Sequence, residues 1–279
     1  MLEFLRKWRR ARKLAGLTVS PAMWRRVEAG LPFLDFLDGD QRERLRELAR
    51  GFLVDKQFHG AQGLVLRDDI LLAIALQACL PILEIGLDAY RGWVGVVVYP
   101  GDFVIRRHEM DESGVVHEYD DEVLGEAWEG GPVLVSWYDE GDAPTGINVV
   151  IHEFAHKLDM ENGGVDGLPK LPVGMSRSAW AAAFNDAYQR FCAEVDAGEA
   201  TFLDPYASES PGEFFAVASE AFFESPCQME HEFPAVYEQL RGFYRLDPAA
   251  GERRVREQRR AGGEVQLDLS AKSDEDGIA

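Results

Sequence analysis

Cysteine is scarce in this sequence. Of 279 residues only Cys79, Cys192 and Cys227 are cysteines, and they lie far apart with no CxxC pair among them. Such usage suits a reducing cytoplasm, the expected location, and offers no cysteine-built metal site. Long apolar runs are also missing. Nothing reaches the roughly 18 residues that a membrane-spanning helix needs. The longest apolar stretch, Ile70 to Ile85, is interrupted by Gln77, Pro81 and Glu84 and reads as a buried helix. The opening MLEFLRKWRRARKL has no apolar segment of about 7–15 residues behind it, so it is not expected to act as a secretory signal. Positive charge is in short supply too. There are 29 Lys and Arg against 49 Asp and Glu, a formal net charge of −20. A surface of that sign repels phosphate backbones, so direct nucleic-acid binding is not expected. Residues 1–13 reverse the balance with six basic residues and one Glu. Such an arm can dock on a membrane or an acidic partner, or it is simply a solvated helix start.

What is present is a globular composition, 46% apolar, in a chain long enough for one large domain or two small ones. Residues 20–92 read as mostly helical, with Asp68 and Asp69 opening an apolar helix that runs to about Gly86. From Trp93 the pattern turns to short β-branched segments. Val94 to Tyr99 is a strand, and Phe103 to Arg106 is its expected neighbour across the Pro100-Gly101-Asp102 turn. Val115 to Tyr119 reads as an edge strand, and Pro132 to Trp137 as a strand after Gly130-Gly131. Helices are expected over Ile147 to Met160, stopped by Asn162-Gly163-Gly164, over Ser178 to Asp196, from Pro211 onward, and over Pro234 to Tyr244. The fold class is therefore α+β, mostly helical, with a small sheet beside the helix that starts near Ile147. The expected organisation is a helical region at 1–92, a catalytic part at 93–250 and a flexible charged tail at 251–279.

The chemistry sits in His152-Glu153-Phe154-Ala155-His156. On a helix, residues four apart share a face, so both imidazoles can bind one ion. Zinc accepts imidazole nitrogen in tetrahedral geometry, and Glu153, next to the first histidine, can take a proton from a water on the metal. Val149, Val150, Ile151, Phe154, Ala155 and Leu158 make this a core helix, where three such polar groups would be costly without a ligand. A catalytic zinc takes a third protein ligand. No histidine follows at close spacing, and His231 reads as a surface residue. Glu213 can serve, but Ser210-Pro211-Gly212-Glu213 fits a capping box equally well. Glu220, seven residues later on a similar face, is either the rival ligand or a carboxylate that supports one. Asp159, three residues after His156, either holds a ligand imidazole or is an ordinary solvated helix-end aspartate.

HEFAHKLD, followed by a PYAS segment and then by PGEFFAVASEAFF, resembles the Mlc titration factor A family of bacterial zinc peptidases. The resemblance extends upstream to Ala75-Leu76-Gln77-Ala78-Cys79-Leu80-Pro81 and to Val98-Tyr99-Pro100, and covers roughly residues 30–245. The metal-site pattern is also similar to the catalytic domain of anthrax lethal factor, which carries HExGH, a tyrosine and an EFFAEAF segment. The resemblance implies a zincin-like fold, one zinc per chain, and Glu213 as third ligand to His152 and His156. It also gives Tyr206 a role, since the family has a tyrosine seven residues before that glutamate. Its phenol could donate a hydrogen bond to the oxyanion formed at the amide. Aminopeptidase-type hydrolysis of a peptide substrate is the implied activity, and substrate backbone is expected to pair with a sheet edge such as Pro132 to Trp137. The family takes its name from sequestering a glucose-responsive transcriptional repressor, so a protein-binding regulator with secondary peptidase activity is the competing expectation. A purely structural zinc is less favoured, because such sites fill all four positions with Cys or His.

Overall fold

The structure is a computed structural model and describes the backbone of residues 10–110, 116–138 and 146–271. Of the basic arm, residues 1–9 lie outside the described residues; Arg10 donates to the Asp55 carboxylate at 2.7 Å. Helix α1 (Pro21–Ala29) is capped by Ser20. Helix α2 (Gly39–Asp55) is started by a full capping box, in which Asp38 accepts from the Gln41 amide at 2.8 Å and Gln41 accepts from the Asp38 amide at 3.1 Å. Helix α3 (Asp68–Cys79) carries two aspartates in its first turn, favourable to the helix dipole, and is buried from Ile70 to Cys79 apart from Leu71. It ends earlier than the apolar run suggests. Pro81 has no amide hydrogen to continue the ladder, and the chain turns through Ile85 instead.

The sheet has four strands in the order β1 (Gln57–Gly60), β2 (Gly95–Tyr99), β6 (Val133–Ser136), β5 (Gly125–Ala127). The first three run parallel, and β5 is antiparallel to β6. Three expectations are corrected here. Strand β1 lies within the span read as helical. The segment from Phe103 does not pair with β2. As β3 (Phe103–Met110) it pairs with β4 (Val116–Val123) in a separate antiparallel hairpin, because both sides of β2 are already taken. The strand at Pro132 to Trp137 is interior rather than an edge; β5 is the edge on that side. Val115 lies outside the described residues.

Helix α4 (Val149–Asp159) packs beneath this sheet. Its Phe154 is fully buried and makes edge or tilted ring contacts with Phe52 at 5.5 Å, Tyr90 at 5.2 Å and Trp93 at 5.8 Å. The N-terminal helices thus share a core with α4. A second aromatic cluster joins α5 (Arg177–Asp196), α6 (Pro211–Glu224) and α8 (Pro234–Tyr244), with Phe233 contributed from the junction of α7 (Pro226–Glu232) and α8. Its contacts include Trp180 with Phe184 and Phe243, Phe214 with Phe191 and Phe233, and Phe215 with Phe243. These two clusters fix α4 and α6, the helices that meet at the site below.

Of the segment from Gly251, expected to be a frayed tail, the described residues 251–271 are helical. Helix α9 (Pro248–Ala271) starts on a proline and is tied down by charge rather than by apolar area: Arg254 donates to the Phe36 carbonyl at 2.8 Å and Arg259 pairs with Asp35 at 2.7 Å. Residues 272–279 lie outside the described residues. No described helix is long and apolar enough to cross a membrane. The architecture is α+β and mostly helical.

Phe154 joins the core of the N-terminal helices to α4. Phe154→Ala is expected to destabilise the fold by about 3–5 kcal/mol in chemical denaturation; a loss below about 1 kcal/mol would show that the two parts do not depend on this contact.

Candidate metal centre

Every residue of α4 is buried, including His152, Glu153, His156, Lys157 and Asp159. Buried polar groups cost free energy unless they are paired, so the partners of these five define what the helix is for. Lys157 is structural. Its ammonium donates to the carbonyls of Trp128 and Gly131 and sits 4.8 Å from the Trp93 ring centroid, and burial lowers its pKa to about 8.

His152 and His156 turn their Nε2 atoms toward each other at 3.1 Å, with the rings close to perpendicular. Glu213 Oε2, from the first turn of α6, lies 3.0 Å from one and 3.2 Å from the other. These three residues each offer a ligand atom, all within 4.8 Å of one another. Behind His152, Glu220 Oε1 lies 2.7 Å from Nδ1. A carboxylate there places the proton on Nδ1 and leaves the Nε2 lone pair facing the cluster, an assignment inferred from the bonding network. The protonation pattern reflects the same convergence. Burial opposes charge on His152, but bonds to Glu213 and Glu220 outweigh it and raise its pKa well above the usual imidazole value. Burial lowers His156. Glu213 is held well below the carboxylate range: burial works to raise it, and the two imidazoles overcome that. A cluster that draws in a proton so strongly can equally hold a metal cation.

The structure places both candidate glutamates. At Glu213 only half of the expected capping box forms, because the carboxylate does not turn back to the Ser210 amide. The Glu213 amide is capped by Ser210 Oγ at 3.1 Å, while its carboxylate turns to the imidazoles. Glu220 supports: besides His152, its Oε2 accepts from the Asn148 amide at 2.6 Å. Asn148 caps α4 by accepting from Ile151 N at 3.0 Å and donates to Glu224 at 2.8 Å. The start of α4 is thereby bound to α6 by two carboxylates.

Asp159 matches neither expectation for it. It is fully buried, and it accepts from the Gly167 amide at 2.7 Å rather than holding an imidazole. Burial raises its pKa to about 7. Gly167 has φ +75°, and a Cβ there would meet the Pro211 carbonyl oxygen at 2.5 Å. Asp159 therefore fixes the loop against which α6 begins, two residues before Glu213.

Glu153 is 4% exposed, and its Oε2 has no hydrogen-bond partner. Burial pushes its pKa to about 8; His152 pulls it down, while Glu213, Glu126 and Glu220 push it further up. Tyr206 is 46% exposed, with its ring centroid 6.1 Å from that of His152. These side chains line a cleft of about 590 Å³, walled by β5 on one side and by Met160, Val165 and Val217 on another. Sequence reasoning missed Asn148 and Gly125. Asn148 carries a usable signal, an N-cap residue just before an apolar helix. Gly125 carries none.

The family described as glucose-regulated metallo-peptidase M90 matches residues 5–245. An uncharacterised protein of Synechocystis sp. is 36% identical over 234 residues, covering 82% of this chain and 85% of that protein. The Mlc titration factor A of Serratia proteamaculans is 37% identical over 234 residues, 82% of this chain and 88% of that one. That of Yersinia pestis is 37% identical over 235 residues, 82% and 86%.

The raised pKa of Asp159 has a signed consequence. A carboxyl whose pKa is higher folded than unfolded contributes stability at low pH and loses it as pH rises through the folded value. Asp159 should therefore cost stability progressively between about pH 4 and about pH 7. Asp159→Asn keeps an acceptor for Gly167 and cannot ionise, so its stability should vary less over that window in pH-dependent denaturation. Parallel curves for the two proteins would refute this.

Proposed function

The chain belongs to the glucose-regulated metallo-peptidase M90 family, and from that premise we propose that it is a zinc-dependent, aminopeptidase-type peptidase of the cytoplasm. In this reading His152, His156 and Glu213 hold the metal, Glu153 is the general base and Tyr206 assists at the oxyanion. The observation that carries it is the convergence of two Nε2 atoms and one carboxylate oxygen at 3.0–3.2 Å. Two imidazoles and a carboxylate are a donor set that zinc accepts, with room left for a further ligand.

Bound zinc supplies Lewis acidity, polarising the scissile carbonyl and lowering the pKa of coordinated water to about 7. The protein's residues do the rest. Glu220, accepting a hydrogen bond from His152 Nδ1–H, keeps that imidazole oriented. Glu153 takes a proton from the attacking water and passes it to the departing nitrogen. A base whose burial raises its pKa is well matched to that return step. Tyr206, which also lines the cleft, donates a hydrogen bond from its phenol to the oxyanion.

Strand β5 supplies a place for substrate backbone. Leu124 accepts from the Ser136 amide and Trp128 donates to the Pro132 carbonyl, so these residues face β6. By the alternation of an antiparallel ladder, Gly125 and Ala127 turn their N–H and C=O groups to the open side. An extended peptide can pair with them along the cleft.

A second reading has its own support. Two relatives bear the name Mlc titration factor A, and a protein-binding role, sequestering a transcriptional repressor, is compatible with a peptidase site. Capture of such a repressor by metal-free protein would favour it, since binding need not use the metal.

Three isosteric changes test the primary reading through zinc content and peptide hydrolysis. Glu153→Gln should retain zinc and lose roughly two to four orders of magnitude in turnover. Glu213→Gln should lose zinc and activity together. Glu220→Gln should weaken zinc affinity or activity about 10- to 100-fold. Full zinc with full activity in Glu213→Gln, or near-normal turnover in Glu153→Gln, would defeat the assignment.

A further inference from the structure

Glycine at position 125 has no backbone justification. Its φ is not in the left-handed region, and it is the first residue of β5, paired with Val135, where glycine weakens a strand. What it provides is space. A Cβ built on Gly125 would lie 2.4 Å from Glu153 Oε1, 2.6 Å from Cγ and 2.7 Å from Cδ. Its three nearest neighbours all belong to one side chain, and that side chain is Glu153.

Glu153 has little else to hold it. Its Oε2 has no hydrogen-bond partner, and it is buried on a helix whose own position is fixed by Phe154. Three atoms of the Glu153 side chain thus fill the space that a Cβ at position 125 would need. With α4 fixed by its core and β5 by its pairing to β6, a methyl group at position 125 would displace the carboxylate before it displaced either element. We infer that Gly125 is a positioning residue for Glu153: the bare edge-strand backbone fixes where the carboxylate lies beside the metal-binding atoms. This rests on Glu153 as the general base, although the contact itself does not.

The test uses the full-length, zinc-loaded protein. Gly125→Ala should keep its zinc, because His152, His156 and Glu213 are untouched. Its kcat should fall roughly 10- to 100-fold, the scale expected for moving a catalytic group by about 1 Å, with KM for the same peptide changed by no more than about twofold. Glu153→Asp shortens the side chain by one carbon. On the Gly125→Ala background it should cause no further loss and should recover part of the activity, although alone it is damaging. A readout independent of activity is thermal unfolding. Gly125→Ala should lower the Tm when Glu153 is present and leave it unchanged on a Glu153→Ala background, where the colliding atoms are gone. If Gly125→Ala alone fails to fold, the double variant with Glu153→Ala should fold.

Normal kcat in Gly125→Ala, or an equal Tm change on both backgrounds, would overturn the inference, as would failure of the double variant to fold. If Glu153→Gln proves fully active, the base assignment fails. The Tm coupling would then still report whether the contact exists, so the two failures are distinguishable.

Discussion

Two imidazole nitrogens and a carboxylate oxygen, each with lone pairs turned inward, are held about 3 Å apart by two helices. Electron-rich atoms at that separation repel unless a cation or a shared proton lies among them. Most of the structure around the site serves to impose this arrangement. Phe154 anchors α4 in one aromatic cluster, and Phe214 and Phe215 anchor α6 in another. Glu220 and Glu224 tie the N-terminus of α4 to α6 through Asn148. Asp159, Gly167 and Pro211 set where α6 begins. Rigid cores at both ends leave the converging side chains little freedom to relax apart, and preorganisation of this kind is what a metal site needs from its scaffold.

The same arrangement explains the distribution of buried charge. Lys56 and Lys157 both lie against Trp93, and each ammonium is satisfied by backbone carbonyls, so they stabilise the frame without entering the cleft. The carboxylates gather instead around the histidines, where a bound cation would offset their mutual repulsion. Glu153 stands apart. It is buried among like charges with an unpartnered oxygen, which raises its pKa to about 8 and suits it to receive and return a proton.

The histidine pair was legible in the sequence because a four-residue spacing becomes one helix face whatever the tertiary context. Spacing alone does not separate the two glutamates, since seven residues bring both to a similar face; only the family resemblance favours Glu213, and the packing of α6 on α4 decides which meets Nε2 and which meets Nδ1. Asp159 was misread because its partner, Gly167, lies in a loop with no periodic pattern. The strand at Val94 to Tyr99 was clear from its β-branched run. Strands β1 and β5 are four and three residues long and leave no such trace. The helix from Pro248 was hidden by its composition, since arginines bonded to Phe36 and Asp35 do the work usually done by apolar residues.

His152, His156 and Glu213 are proposed to hold one metal ion. X-ray absorption spectroscopy at the zinc edge of the loaded, full-length protein tests this assignment most directly. The expected spectrum shows the scattering of two imidazole rings together with an oxygen shell at about 2.0–2.2 Å. A sulfur shell near 2.3 Å, or an all-oxygen shell without imidazole scattering, would contradict it.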